Sequence, residues 1–274
     1  MKISVIISTY NSPKWLEKVL WGYACQSLKG FEIVIADDGS GDKTKKLINQ
    51  FRNEAGFLIR HVWHEDKGFR KWNIVNKAIA EATGSYLIFT DGDCVPHSRL
   101  LETHLQFAEK GRFLSGGYCK LPMKTSLAIS KENIFSGDIF SVNWLRKNGF
   151  SFTPKWLKIL ALKWGINGFL DKVTPAAKTF NGNNSSCFRE DAIAINGFDN
   201  RILYGGGDRE FGYRLEHLGI LPKVIRYSTI CLHLDHARGY KSKEIREKNM
   251  AMIEATRVNK TVKTDFGIEQ IIES

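Results

Sequence analysis

The chain has 274 residues, of which 43% are hydrophobic and 25% charged, with only 6 prolines. This is the composition of a globular protein with one large domain or two small ones, and it excludes a disordered, collagen-like or peptide-sized chain. The formal net charge of +11 predicts a surface that attracts an anion. Nucleic acid, an anionic lipid surface and a phosphorylated small molecule are therefore all candidate partners.

The five cysteines are spread along the chain and never form a CxxC spacing. This argues against a disulfide framework or a thiolate zinc site and predicts a cytoplasmic protein. The apolar run at the start is too short for a signal peptide. The best candidate for a membrane span, residues 156–170, is interrupted by Lys158 and Lys163 and falls short of the roughly 18 apolar residues required. We therefore expect any membrane contact to be peripheral, at the inner face.

The first hundred residues alternate short apolar runs with helical patterns, which predicts parallel strands joined by crossover helices. The predicted strands are residues 3–7, 33–36, 58–62 and 86–90. A helix follows each of the first three, and the third is predicted over 70–82. A polar cluster follows each strand directly, which is where open parallel sheets bind ligands.

The rest of the chain has a different character. Residues 120–180 hold ten Lys and Arg against three Asp and Glu, interleaved with Trp144, Trp156 and Trp164. This pattern predicts an irregular, partly helical insertion, which could contact a lipid-linked acceptor at a membrane surface. A polar loop at 181–186, a glycine-rich turn into a helix at Asp208, an apolar run over 224–234 and a basic helical end follow.

Asp91 and Asp93 come directly after the fourth predicted strand. Because the strand is buried, both side chains can turn toward one ligand at the edge of the sheet. Carboxylate oxygens are what a divalent cation bridging phosphates requires. The alternative is a turn that uses Asp and Gly for their backbone tolerance. The position after the fourth strand favours the cation site.

The ends of the first two strands predict a second part of the same pocket. A carboxylate of Asp37 or Asp38 could accept a hydrogen bond from a base imide or a ribose hydroxyl, or the segment could simply be a helix-entry loop. Ser8 and Tyr10 follow the first strand, where the aromatic ring could lie against a nucleobase. Arg70 and Lys71, at a helix start, are candidate phosphate ligands, or part of a solvated basic face.

The second half offers a candidate base and two candidate metal ligands. Three glycines precede Asp208 at a helix start. They could let another molecule approach the backbone and leave Asp208 exposed as a general base, or the acid could merely complement the helix dipole. His233 and His236 can reach one ion only if the chain turns between them, and histidine with carboxylate suits Mn more than Mg.

Taken as an ordered set, these motifs resemble the family 2 glycosyltransferases over about residues 1–110. The resemblance is carried by Ser-Thr-Tyr-Asn at 8–11, Asp-Asp-Gly-Ser at 37–40, Gly68 with Arg70, Asn76 and Ala78 before Gly-Ser-Tyr at 84–86, and Asp-Gly-Asp at 91–93. The later segments 181–186, 196–199, 204–210 and 233–236 are similar to the C-terminal galactosyltransferase-type region of chondroitin-polymerase-like and β-1,4-galactosyltransferase enzymes.

The resemblance implies an α/β fold of the GT-A type, a single-domain nucleotide-binding sandwich with a mostly parallel central sheet. Residues 1–110 would bind the nucleotide sugar, 111–240 would bind the acceptor and supply the base, and 241–274 would be a basic helical tail. The implied reaction is inverting transfer of a hexose or N-acetylhexosamine from a UDP-sugar to a hydroxyl of a saccharide or lipid-linked saccharide. Such a reaction belongs to bacterial-type surface polysaccharide or lipopolysaccharide synthesis.

The resemblance also implies roles for individual residues. Tyr10 and Asp38 would hold the base, Asp91 the ribose or diphosphate side, Asp93 with His233 or His236 a Mn²⁺ or Mg²⁺ ion, and Asp208 would be the catalytic base; Ser8 and Arg70 are further candidates for donor binding. The family's usual Trp-Gly-Gly-Glu-Asp is Tyr-Gly-Gly-Gly-Asp at 204–208. Both the aromatic residue and the first acid therefore differ.

Two other functions stay open at this point. A metal-dependent phosphohydrolase would use Asp91 and Asp93 on a phosphate ester, but it leaves the pocket at Tyr10 and Asp38 without a purpose. A non-catalytic module that binds nucleic acid or an envelope surface would explain the charge and would bind in a strongly salt-dependent way. The absence of GxGxxG and GxxxxGK[ST] motifs disfavours dinucleotide oxidoreductases and P-loop NTPases. We therefore predict a nucleotide-sugar transferase with no nucleic-acid partner.

Overall fold

The computed structural model describes residues 1–236 and 242–272. Its eight strands are β1 (Ile3–Thr9), β2 (Glu32–Asp37), β3 (Leu58–Trp63), β4 (Tyr86–Asp91), β5 (Cys94–Pro96), β6 (Arg112–Lys120), β7 (Ser185–Phe188) and β8 (Leu221–His233). They form one sheet in the order β3-β2-β1-β4-β7-β6-β8-β5. Neighbours from β3 to β4 are parallel, as are β6 and β8, whereas β7 and β5 pair antiparallel with their neighbours.

Helices cover both faces of this sheet. The first half contains α1 (Pro13–Ala24), α2 (Asp42–Glu54), α3 (Lys71–Glu81) and α4 (Leu100–Phe107). The basic insertion contains five short helices, α5 (Met123–Ala128), α6 (Lys131–Ser136), α7 (Val142–Lys147), α8 (Trp156–Trp164) and α9 (Asn167–Val173). The remainder contains α10 (Arg189–Ala194), α11 (Gly207–His217), α12 (Lys243–Val258) and α13 (Glu269–Ile272).

Alternate side chains of β1 enter two separate apolar cores. Val5 and Ile7 pack into the core formed with α1, whereas Ile6 packs into the core that holds α3 and α11. Because both faces of the strand are buried, its sequence is a continuous apolar run rather than an alternating one. The two cores confirm the predicted α/β sandwich with its mostly parallel sheet.

The described part of the predicted tail is packed into the fold. α12 lies against α11, and Ile253 and Ile268 are buried in the same core as α3. Residues 237–241 and 273–274, which belong to the predicted second half and tail, lie outside the described residues. None of the described helices has the length and hydropathy needed to cross a membrane.

Candidate active site

The carboxyl ends of β1, β2 and β4 meet at one edge of the sheet and open into a cavity of about 480 Å³. Strand pairing sets this convergence, since Ser8 is in register with Asp91 and Thr9 with Asp37. The cavity is lined by most of the residues that the sequence singles out, namely Ser8, Tyr10, Asp38, Asp91, Asp93, His233 and His236, and also by Lys71, Phe69 and Tyr204.

The loops after β1 and β2 are tied together. The Asn11 backbone N–H donates to Ser40 Oγ at 2.8 Å, and the Gly41 N–H donates to Asn11 Oδ1 at 3.0 Å. The Tyr10 hydroxyl donates to Asp66 Oδ2 at 2.8 Å. These bonds fix the wall of the cavity that carries the Tyr10 ring.

The two acids at the end of β2 have different surroundings. Asp37 is completely buried and binds His61 Nε2 at 2.8 Å and the Ser40 N–H at 2.9 Å. Asp38 lines the cavity and is positioned by His64 Nε2 at 2.7 Å and by the Arg70 N–H at 3.1 Å. Asp37 therefore shapes the loop, and Asp38 is the acid that a ligand meets.

The structure places Lys71, rather than the predicted Arg70, on the cavity. Arg70 does not line the cavity, and its side chain donates to the Glu65 carbonyl. Lys71 begins α3, and its Nζ lies 2.6 Å from Asp91 Oδ1. Burial alone would lower the pKa of Lys71, but Asp91, and to a smaller extent Asp208 and Asp93, raise it above its ordinary value. The charges of three carboxylates therefore act on one ammonium group, which is paired directly with Asp91.

Asp91 and Asp93 differ in how well the protein supports their charge. Burial opposes ionisation of Asp91, but the Lys71 ammonium and a 2.8 Å bond from the Ser8 hydroxyl hold its pKa below the usual value. Burial raises the pKa of Asp93, and the charge of Asp91 adds to this effect, while His233 and His236 oppose it. The protein therefore stabilises the ionised form of Asp93 less well than that of Asp91, and a bound cation would stabilise it further.

The groups around Asp93 fit a divalent cation. Ligand atoms of Asp93, Cys94 and His233 lie within 4.8 Å of one another. His233 Nδ1 lies 2.8 Å from the Leu234 carbonyl, so it carries the proton and leaves the Nε2 lone pair for a metal. The Cys94 thiol donates to Asp93 Oδ1 at 3.4 Å, and burial raises its pKa well above the ordinary value. A neutral thiol leaves the carboxylate and imidazole as the ligands.

His236 joins this group because the chain turns after β8. Its Nε2 lies 3.1 Å from Asp93 Oδ2, and its ring stacks on His233 with centroids 5.7 Å apart. Both histidines therefore face the same carboxylate. A carboxylate with imidazole nitrogens suits Mn²⁺ better than Mg²⁺.

Asp208 lies in the first turn of α11. Its Oδ2 accepts from the Gly182 N–H at 3.1 Å and its Oδ1 from the Arg209 N–H at 2.9 Å. It does not line the 480 Å³ cavity itself, but its charge acts on Lys71, which does. Two of the three glycines before it are closely approached by this chain, since Trp72 packs against Gly207 and Ile253 against Gly206, whereas a Cβ at Gly205 would have no atom of another segment within 4 Å.

The second acid of α11 has a structural environment. Glu210 and Arg214 are fully buried and form two hydrogen bonds of 2.7 and 2.8 Å. Arg214 also donates to the Ile195 and Gly197 carbonyls. Thr256 of α12 donates to Glu210 at 3.1 Å, so this pair anchors the helix that carries Asp208.

Two models of known protein families match this chain. Residues 4–160 match the family model described as "Glycosyl transferase family 2". The chain belongs to this family. Residues 170–237 match a second model, "N-terminal domain of galactosyltransferase", which covers both the Asp208 turn and the histidines. The predicted glycosyltransferase with a galactosyltransferase-type region is therefore confirmed.

Individual relatives of this glycosyltransferase extend the likeness. The GalNAc(5)-diNAcBac-PP-undecaprenol beta-1,3-glucosyltransferase of Campylobacter jejuni is 25% identical over 252 residues, which are 84% of this chain and 79% of that protein. The chain covers less than a third of the length of three further curated relatives.

Solved structures share the fold. The mannosyltransferase PcManGT from Pyrobaculum calidifontis, in complex with GDP-Man and Mn²⁺, superposes with a TM-score of 0.62 at 18% identity, over 94% of this chain and 64% of that one. S. aureus TarS 1-349 in complex with UDP-GlcNAc gives 0.57 at 17% identity, over 99% and 69% of the two chains.

Proposed function

We propose that this enzyme is a metal-dependent inverting hexosyltransferase that moves a hexose or N-acetylhexosamine from a UDP-sugar to a hydroxyl of a saccharide acceptor. The observation that carries the proposal is that Lys71, Asp91 and Asp93 line one cavity and that the charge of Asp208 acts on Lys71. Residues 1–110 supply the donor side and 111–240 the acceptor side, while 241–274 follow as a supporting tail.

The donor base and ribose lie between β1 and β2 in this proposal. Asp38 accepts a hydrogen bond from the base, and the Tyr10 ring lies along the base face. Ser8 and Lys71 position Asp91 toward the ribose or diphosphate. TarS, whose structure holds UDP-GlcNAc, supports a uridine nucleotide.

Asp93 with His233 and His236 holds the cation, and Mn²⁺ fits this ligand set better than Mg²⁺. When bound by these residues, the cation would supply positive charge against the negative charge that develops on the leaving diphosphate. The PcManGT structure, which contains Mn²⁺, supports a cation in this fold. Lys71 supplies a second positive charge on the same side of the cavity.

Asp208 acts as the base on the acceptor side. Its position at the N-terminus of α11 favours a negative charge, because the helix dipole is positive there. The carboxylate removes the proton of the acceptor hydroxyl as that oxygen attacks the sugar carbon and the bond to the diphosphate breaks. A single displacement of this kind inverts the anomeric centre and needs no covalent intermediate.

The acceptor is a saccharide or lipid-linked saccharide, as expected for surface polysaccharide or lipopolysaccharide synthesis. The Campylobacter relative, whose name specifies an undecaprenol-linked saccharide, supports this class. Peripheral membrane contact would bring the enzyme to such an acceptor.

The test is a thermal-shift screen of nucleotide sugars with and without Mn²⁺, followed by a transfer assay on the donor that stabilises the protein. We expect stabilisation by one or more UDP-sugars that disappears with a chelator and in Asp93→Asn. If a chelator leaves the stabilisation by the donor unchanged, the proposed role of the cation in donor binding is wrong. Hydrolysis of the donor at a rate independent of acceptor would identify a phosphohydrolase instead.

A further inference from the structure

The two helices α8 and α9 expose an unusual amount of apolar surface. Trp164, Phe169 and Val173 have 57%, 66% and 55% of their area exposed, and α9 has no buried residue. The α8–α9 surface, as we define it, comprises Phe152, Leu157, Trp164, Ile166, Phe169 and Val173. Several large apolar side chains exposed within one short segment indicate an interaction site.

Helical spacing gathers these side chains into stripes. Leu157 and Trp164 are seven residues apart on α8, and Phe169 and Val173 are four apart on α9, so each pair shares one helix face. The opposite face of α8 is buried through Ile159, two residues after Leu157. The apolar stripes are therefore additional to the face that holds the helices on the sheet.

The charges around the stripes are almost all positive. Residues 151–178 contain five lysines and one acid. That acid, Asp171, points inward, where it accepts hydrogen bonds from the Tyr227 and Ser228 N–H groups and from the Ser228 hydroxyl. Lysines bordering exposed aromatic residues complement the anionic headgroups and the acyl boundary of a bilayer.

The α8–α9 surface is also adjacent to the candidate active site. Lys158 of α8 donates to the Tyr118 carbonyl at 3.0 Å and lies over the Tyr118 ring. The Tyr118 ring centroid is 6.1 Å from that of His233. One aromatic residue therefore separates α8 from a proposed metal ligand.

We propose that the α8–α9 surface binds an anionic phospholipid bilayer, with Trp164 and Phe169 inserted at the level of the headgroups and the lysines in contact with the phosphates. Delivery of a membrane-bound acceptor to the site from this side rests on the proposed function. The lipid binding itself does not, and it holds for a variant without transferase activity.

The experiment is co-sedimentation of the full chain with vesicles of equal parts phosphatidylcholine and phosphatidylglycerol, compared with pure phosphatidylcholine. We expect binding to the mixed vesicles only, weakened by salt. The double variant Trp164→Ser, Phe169→Ser should bind at least roughly ten-fold more weakly. Lys163→Glu and Lys172→Glu should each reduce binding by roughly five-fold or more. An Asp208→Asn variant should bind vesicles like the wild type, which separates this result from the transferase proposal.

Leu58→Ser is the matched control, because Leu58 is 52% exposed on β3 at the opposite edge of the sheet from β8, against which α8 and α9 pack. It should leave binding unchanged. Absence of vesicle binding by the wild type, or equal binding by the double serine variant, would overturn the proposal. Sedimentation showing that the double variant converts a dimer into a monomer, without vesicle binding by the wild type, would instead identify an interface between copies.

Discussion

Two acids in the first turn of α11 belong to different regions of the molecule. Asp208 accepts hydrogen bonds from two backbone N–H groups, and its charge acts on Lys71, which lines the cavity. Glu210, two residues later, faces the buried side and is fully paired with Arg214. Residues two apart on a helix do not share a face. One turn of α11 therefore places Asp208 and Glu210 in different surroundings.

Acids that stabilise the fold differ from acids that are available to a ligand in how fully the protein neutralises their charge. In the buried region, the Glu210 carboxylate accepts hydrogen bonds from Arg214 and Thr256. In the cavity region, burial raises the pKa of Asp93 above its usual value and the neighbouring Asp91 adds to this, although His233, His236 and the Cys94 thiol oppose the shift. An acid that the fold leaves short of positive charge is the better candidate for function.

The largest effect should come from Asp208→Asn. Asparagine keeps the size and can still accept from the Gly182 N–H, but it cannot remove a proton. We expect the turnover number for transfer to fall by roughly 10²- to 10⁴-fold, with donor affinity and thermal stability close to those of the wild type. Single-turnover kinetics with a fixed donor would measure this. Transfer at the wild-type rate would remove Asp208 from the base role.

Glu210→Leu should show the opposite profile. Removing one partner of a buried ion pair leaves Arg214 uncompensated and should reduce the free energy of unfolding by about 3 to 5 kcal/mol. Urea denaturation measures this loss, and turnover per folded molecule should change little. The double variant Glu210→Leu, Arg214→Met should recover much of the stability. Loss of turnover without loss of stability would place Glu210 in the chemistry instead.

Glu32→Gln should come next and should depend on pH. Burial alone would raise the pKa of Glu32, but hydrogen bonds from Ser4, Thr83 and Arg60 outweigh it and lower the pKa from 4.5 to about 2. The charged carboxylate therefore stabilises the fold above pH 4.5 by about 3 kcal/mol, and this stabilisation is lost as the pH falls toward 2. In the variant, that part of the acid dependence of urea denaturation should disappear.

The control for Glu32→Gln is Glu109→Gln. Glu109 is paired with Lys223 at 2.8 Å on the surface, where solvent screens the pair. It should change neither the stability nor its pH dependence measurably. Equal acid profiles for the two variants would show that the bonds to Glu32 do not stabilise the fold.

The sequence predicted the parts of the site that are set by local order. Asp38 follows β2 and Asp91 ends β4, and parallel pairing alone brings the ends of these strands to one edge. The choice between Arg70 and Lys71 was beyond such reasoning, because successive residues of a helix start point about 100° apart. In the structure Lys71, the first residue of α3, lines the cavity, and Arg70 does not.

Contacts between segments that are far apart in the chain could not be predicted from the sequence either. Trp72 and Gly207 touch although 134 residues lie between them, and α12 supports the glycine turn through Asn249, which donates to the Tyr204 and Gly205 carbonyls. The pairing of Glu210 was within reach, since an acid and an arginine at i and i+4 form ion pairs on a helix. That spacing is visible in the sequence and distinguishes Glu210 from Asp208.

The smallest effect in this series should come from Gly207→Ala, at the boundary between the two regions. A Cβ at this position would lie 2.4 to 2.7 Å from three atoms of the Trp72 indole. That ring cannot retreat easily, because it stacks on Phe198 at 4.6 Å. We expect a loss of about 1 to 3 kcal/mol in the free energy of unfolding.

Trp72→Phe should relieve the Gly207→Ala overlap, so the double variant should be more stable than the sum of the two single losses predicts. If the losses simply add, Trp72 is not what requires glycine at 207. If the contact also aligns Asp208, the turnover number should fall in Gly207→Ala and partly return in the double variant. A stability loss with turnover unchanged would confine the contact to the buried region and leave the position of Asp208 to the Gly182 hydrogen bond.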